Sequence, residues 1–169
     1  MDILLVDGYN VLNAWPELAA VRESSLEHAR EKLMDILAGY GAYKDYKVVI
    51  VFDAHAVAGA SAPRAEVRPG GLEVVFTQAG ETADSYIERL AYQLIRAGES
   101  VYVATSDRAQ QMTVLGAGAW RVPARELREQ VLAAEREIRE GHSETGRRRE
   151  VGGRIDRRIA ERLDALRRR

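Results

Sequence analysis

Short apolar runs that end in an aspartate, separated by stretches of helical periodicity, constrain this chain more than any other feature. Ile3 to Val6 is apolar throughout and stops at Asp7-Gly8; Val48 to Phe52 does the same and stops at Asp53. Leu72 to Phe76 gives a third run, Val101 to Ala104 a fourth that leads into Thr105-Ser106-Asp107, and Trp120 to Val122 a short fifth. Runs of this length and composition suit strands buried on both faces. Between them the spacing predicts helices. One spans 24–40, with Leu26, Ala29, Leu33, Ile36, Leu37 and Tyr40 on one stripe and Gly39 and Gly41 near its end. A second spans 83–97 behind a Thr82 cap and stops at Gly98, and a third covers about 108–116. A fourth opens at Pro123 and carries Leu127, Val131, Leu132 and Ile138. Alternation of this kind implies an α/β fold in three layers, a mainly parallel sheet with helices on both faces.

The aspartates then acquire a common address. In an open parallel sheet, ligands bind outside the carboxyl ends of the strands. Asp7, Asp53 and Asp107 follow three strand ends, and Asp84 lies in the first turn of the helix after another. All four can meet on one rim. Carboxylates packed together repel and raise one another's pKa, so the arrangement is unfavourable without a cation. Oxygen donors with no Cys or His pattern suit Mg²⁺ or Mn²⁺, and such ions assist phosphodiester hydrolysis.

Each acid also has a plainer use. Asp107 can cap a helix, Asp84 can complement a helix dipole, and Asp7-Gly8 can be a turn. Four structural acids on one sheet edge is the less economical account. Asn10 can orient Asp7 or a water, or close a local turn. Ser106 and Arg108 beside Asp107, with Arg64 and Arg68, are the candidate substrate contacts; Arg108 can equally pair with an acid of the cluster. Glu88 reads as a surface acid and His55 as a loop residue. The long connection from Ala54 to Gly71 can be an arm beside the site, and Glu66-Val67-Arg68 can form a hairpin with the third strand, turning at Gly70-Gly71.

Composition narrows the class. With 46% hydrophobic and 30% charged residues the chain is globular, and the absence of cysteine removes disulfides and thiolate sites. No apolar run approaches the ~20 residues of a membrane helix, so no membrane is expected and the cytoplasm is the default location. Net charge is −1, but residues 136–169 hold 12 Arg against 7 acids while residues 1–135 hold 13 Arg and Lys against 19 acids. That asymmetry suits a polyanionic partner, or simply a solvated helix. The expected organisation is a domain over 1–140, a linker over 141–153, and a basic amphipathic helix over 154–169 with Ile155, Ile159, Leu163 and Leu166 on its stripe.

Four blocks, Val6-Asp7-Gly8-Tyr9-Asn10-Val11, Val51-Phe52-Asp53-Ala54, Glu81-Thr82-Ala83-Asp84 and Thr105-Ser106-Asp107, resemble the motifs of the YacP-like NYN-domain family. The likeness extends over nearly the whole chain, the Arg-rich tail included. It implies a PIN-like fold with strand order 3-2-1-4-5 and a divalent-metal nuclease site. The acids matching Asp7, Asp84 and Asp107 would hold the metal, supported by Asn10; Asp53 matches this family but not all NYN relatives. The family includes a bacterial endoribonuclease that associates with the ribosome and cleaves mRNA, so the resemblance implies RNA, and the ribosome, as partners. The rival from another class is a non-catalytic RNA- or ribosome-binding module with a structural metal. A phosphatase with an aspartyl nucleophile usually needs an acid at position 9, which is Tyr. A nucleotide-binding enzyme is also poorly supported, since Gly116-Ala117-Gly118 follows a helix and reads as its stop.

Overall fold

A computed structural model describes residues 1–54 and 64–141. His55, the linker expected beyond Gly141 and the basic helix expected over 154–169 lie outside these residues.

Six strands form one sheet. In chain order they are β1 (Asp2–Asp7), β2 (Lys47–Phe52), β3 (Arg64–Val67), β4 (Glu73–Phe76), β5 (Ser100–Ala104) and β6 (Trp120–Val122), and they lie side by side as β3-β4-β2-β1-β5-β6. All neighbours are parallel except β3 and β4, which form an antiparallel hairpin. The five strands read from the sequence therefore stand in the expected 3-2-1-4-5 order, with the hairpin arm added at one edge. Gly70 and Gly71 make its turn at φ +89° and +82°, a backbone region that other residues rarely adopt.

Among the described residues six helices cover the sheet: α1 (Gly8–Ala14), α2 (Pro16–Ser24), α3 (Leu26–Lys44), α4 (Ala83–Arg96), α5 (Arg108–Ala117) and α6 (Ala124–Gly141). Strand side chains alternate between two apolar layers. Leu4, Val6, Val48, Ile50 and Phe52 pack with residues of α1, α2, α3 and α6. Ile3, Leu5, Val49, Val51, Val101 and Val103 pack with Ile87 and Ala91 of α4 and Val114 of α5. Full burial of a side chain of this size contributes roughly 1.5–3 kcal/mol, so the two layers together carry the fold.

The first two helices are not evident in the residue pattern. At Trp15 the chain is extended (φ −89°, ψ 115°), as expected before Pro16, and this splits the segment into pieces of seven and nine residues. Helices so short are marginal alone and form here because Val11, Leu12, Trp15 and Leu18 are buried. The Trp15 indole N–H also donates to the Ala124 carbonyl at 2.8 Å, fastening this segment to α6.

α3 starts and stops later than its stripe suggested. Ser25 caps it, accepting from the His28 amide at 3.1 Å, and it runs past both glycines to Asp45, which takes the left-handed conformation that ends it. Gly41 is there for space. A Cβ at that position would lie 2.7 Å from Val48 Cγ2. Gly98 and Gly118, at φ +88° and +101°, do end α4 and α5 as the sequence suggested.

Candidate functional site

The same alternation that builds the core aims the carboxylates. Asp7 shares a parity with Ile3 and Leu5, and Asp53 with Val49 and Val51, so both project toward the layer that holds α4 and α5. Because β1 and β2 are parallel neighbours with Asp7 level with Val51, these acids leave the sheet at one rim. α4 begins at that rim and presents Asp84 in its first turn; α5 begins beside it with Asp107 as its cap residue.

Asp7 and Asp84 are in hydrogen-bond contact, and the charges of Asp107 and Asp53 reach them from farther off. Asp7 is buried, and burial first, then the Asp84 carboxylate beside it, pushes its pKa from 3.8 to about 7. A hydrogen bond to Asp84 and the charge of Asp107 push the same way, while the Asn10 backbone amide partly offsets them. Asp84 is also raised by burial and by Asp107 and Asp53, but its hydrogen bond with Asp7 acts in the opposite sense. The hydrogen bond between the two therefore favours Asp7 in its protonated form, donating to the Asp84 carboxylate.

Local structure fixes this pair closely. β1 turns into α1 without an intervening loop, and Gly8 permits that because the Phe52 ring lies where a side chain would start: its Cε1 is 2.4 Å from an ideal Cβ. Thr82 caps α4, accepting from the Ser85 amide at 3.1 Å, which places Asp84 one turn above the buried Ile87 and Ala91. Glu81 does not join the acids. It pairs with Arg89 at 2.8 Å.

Asn10 has a different use from orienting Asp7 with its side chain. Its Oδ1 accepts from the Ser106 amide at 2.6 Å and from the Ser106 hydroxyl at 2.9 Å, tying the first turn of α1 to the loop that carries Asp107. Ser106 is consequently engaged as a structural donor, though it remains exposed at the rim. Asp107 is a helix cap, accepting from the Gln110 amide at 3.2 Å, and it also contributes charge to the acid pair. Both uses hold at once.

The candidate substrate arginines divide. Arg108 starts α5 at the rim and is exposed, and Arg64 is exposed on β3. Arg68 is committed elsewhere, bonding Glu31 at 2.9 and 3.3 Å with Glu66 a further 3.7 Å away.

Four buried polar residues were given no role of their own by the sequence. Thr77, fully buried, accepts from the Ala54 amide at 3.0 Å and donates to the Glu81 carbonyl at 2.9 Å, knitting the end of β2 to the approach to α4. Thr105 accepts from the Asp107 amide at 3.1 Å, and Gln111 donates to the Thr105 carbonyl at 2.6 Å. The only hint was a polar residue directly after an apolar run. Gln110 is buried, with neither atom of its amide partnered among the described residues.

Among the described residues, no three carboxylates or imidazoles stand close enough to form a complete ligand set for an ion. The donor chemistry nonetheless suits a small hard cation. Mg²⁺ keeps several waters and takes one or two protein carboxylates together with substrate phosphate, and two facing acids at an open rim fit that pattern. Asp7 and Asp84 would be the direct ligands, with Asp107 and Asp53 acting at longer range.

Comparison with known proteins agrees with this architecture. Bacillus subtilis (strain 168) has a relative described as uncharacterized protein YacP, 45% identical over 138 residues, which cover 82% of this chain and 79% of that one. The crystal structure of Rae1 (YacP) from Bacillus subtilis superposes with a TM-score of 0.73 at 38% identity, covering 99% of this chain and 95% of the other. A tryptophan-to-leucine mutant of the same protein gives 0.69 at 41% identity over 86% of each. Residues 4–168 match the profile of the YacP-like NYN domain. With a nuclease-like fold and that match along almost its whole length, the chain belongs to the YacP-like NYN-domain family.

Proposed function

We propose that this protein is a divalent-metal-dependent endoribonuclease that hydrolyses RNA phosphodiester bonds, with mRNA on the ribosome as its substrate. The observation that carries the reading is the acid pair: Asp7 and Asp84 face each other at the rim, and Asp7 is pushed to about pKa 7. A buried pair of like charge is unfavourable, and a cation between the two relieves it.

Mg²⁺ or Mn²⁺, when bound, supplies electrostatic stabilisation of charge on a phosphoryl oxygen and lowers the pKa of a water. The chain's own residues do the rest. Asp7 and Asp84 would hold the ion, and because both must be ionised to do so, affinity would rise with pH through neutrality. Asp107 adds negative charge while remaining fixed as a helix cap, and the Asn10–Ser106 bridge keeps its loop in register with β1. Asp53, through its charge on Asp84, reinforces the cluster. Arg108 and Arg64, exposed on either side of the acids, neutralise flanking phosphates. The family resemblance and the 12-Arg segment after residue 135 support the ribosome as partner and a cytoplasmic setting.

A purified-protein RNase assay with Mg²⁺, Mn²⁺ or a chelator tests this, using Asp7→Asn and Asp84→Asn as comparisons. Metal-dependent cleavage lost in both variants is expected; equal activity in all three proteins would defeat the assignment. The alternative, an RNA- or ribosome-binding module with a structural ion, takes its support from the use of Asp107 as a cap and from the incomplete ligand set. It requires metal binding with no cleavage at all.

A further inference from the structure

A row of rings and guanidinium groups runs toward the β3 edge at the carboxyl end of the sheet, on the α1 and α3 face, whereas Asp7 and Asp53 project to the opposite face. It includes Tyr9, two residues beyond Asp7, whose ring is tilted against Phe52 at 5.0 Å. Phe52, the residue before Asp53, stacks on Phe76 at 5.5 Å. Phe76 ends β4, and the Arg64 guanidinium lies over its ring at 4.8 Å, across the antiparallel pair that joins them. At the other end Arg30 of α3 donates through Nη1 to the Tyr9 hydroxyl at 3.2 Å.

Phe52 and Phe76 are buried, so the accessible parts of this row are Arg64, the half-buried Tyr9 and the half-buried Arg30. A guanidinium that is stacked or hydrogen-bonded is held in one orientation, and its remaining N–H edges can meet a phosphate without further loss of side-chain freedom. Arg64 uses Nε toward Glu66 at 3.3 Å, which leaves its outer amino groups. Arg68, on the same hairpin, is neutralised by Glu31 and Glu66 and does not share this property.

We propose that this row is the track for one arm of a single-stranded RNA, Arg30 and Arg64 taking backbone phosphates and Tyr9 taking a base at the end of the sheet, from which the strand passes over the rim to the acid pair on the other face. It deepens the nuclease reading and rests on it, adding Tyr9 and Arg30 as substrate contacts. Stacking on an aromatic ring is tolerant of base identity, so the track confers affinity and path rather than sequence preference.

The test is salt-dependent binding of a fluorescein-labelled oligouridylate to the full chain carrying Asp7→Asn, which prevents cleavage. On single strands each phosphate contact contributes about 0.7 to the slope of log affinity against log salt. Arg30→Met and Arg64→Met should each lower the slope by about 0.7, while Arg30→Lys, which keeps the charge, and Arg68→Met leave it unchanged. Tyr9→Leu should weaken binding about 5- to 150-fold, and Tyr9→Phe, which keeps the ring, much less. Unaltered slopes in Arg30→Met and Arg64→Met, or an equal drop in Arg68→Met, would overturn the track even if the native protein cuts RNA. RNA bound with these slopes but never cut by the native protein would overturn the nuclease reading and leave the track standing.

Discussion

Replacing Asp7 by Asn should stabilise this protein while removing its proposed chemistry. In the folded chain the Asp7 proton is released near pH 7 rather than at 3.8. That displacement corresponds to roughly 4 kcal/mol of destabilisation once the group is ionised. The sign follows from proton linkage: the folded state keeps a proton that the unfolded chain gives up, so this term weakens the native protein as pH rises from about 4 to about 7 and is constant above. An asparagine amide is nearly isosteric and can donate to Asp84 as the protonated Asp7 carboxyl does, without ionising. The advantage of Asp7→Asn should therefore be small near pH 4 and grow to about 2–4 kcal/mol by pH 8. For a chain of this size that is a gain of roughly 5–10 °C in Tm. Thermal melts of both proteins from pH 4 to 8 in a chelating buffer measure it. Saturating Mn²⁺ should then narrow the gap, because an ion at 100 times its Kd adds about 2.7 kcal/mol to the protein that binds it. Parallel pH profiles, or a variant less stable at every pH, would refute the account of a strained acid pair.

Other substitutions test the supporting parts. Gln110→Met removes a buried amide that has no partner among the described residues, and should raise stability by about 1–3 kcal/mol in a denaturant titration. Gly8→Ala drives a Cβ into the Phe52 ring and should lower stability and RNA cleavage together, read by melting and by initial rates. Asn10→Ala removes the acceptor of the exposed Ser106 amide and hydroxyl; a loss of about 0.5–1.5 kcal/mol is expected, with a fall in kcat larger than any change in KM. Deleting residues 147–169 should weaken salt-sensitive binding to RNA or ribosomes more than cleavage of a short oligonucleotide; unchanged binding with a lower Tm would make that segment purely structural.

The strands and the longer helices were legible because their signal is local. A run such as Val48 to Phe52 has few alternatives to a buried strand, and the period-2 alternation inside each run already decided that Asp7 and Asp53 would face one layer. The hairpin at Gly70-Gly71 and the helix stops at Gly98 and Gly118 were likewise visible, since positive φ selects glycine. α1 and α2 were not, because pieces of seven and nine residues carry too little periodicity and form only against the body of the protein. Gly41 misled for a related reason: its glycine answers to Val48, a neighbour in space that no pattern within the helix announces.

At the rim the division is the same. Sequence placed Asp7, Asp53, Asp84 and Asp107 at one edge, because parallel strands must deliver their ends together. Which acids share a hydrogen bond, which one also caps a helix, and which arginines stay available for a phosphate were decided by tertiary packing alone. Arg68 and Arg64 are indistinguishable as letters, yet Glu31 from another helix neutralises the first, while Phe76 holds the second open to solvent. Charge and hydrogen-bond partners are set by distances of a few ångströms between elements far apart in the chain, and only the folded protein fixes those.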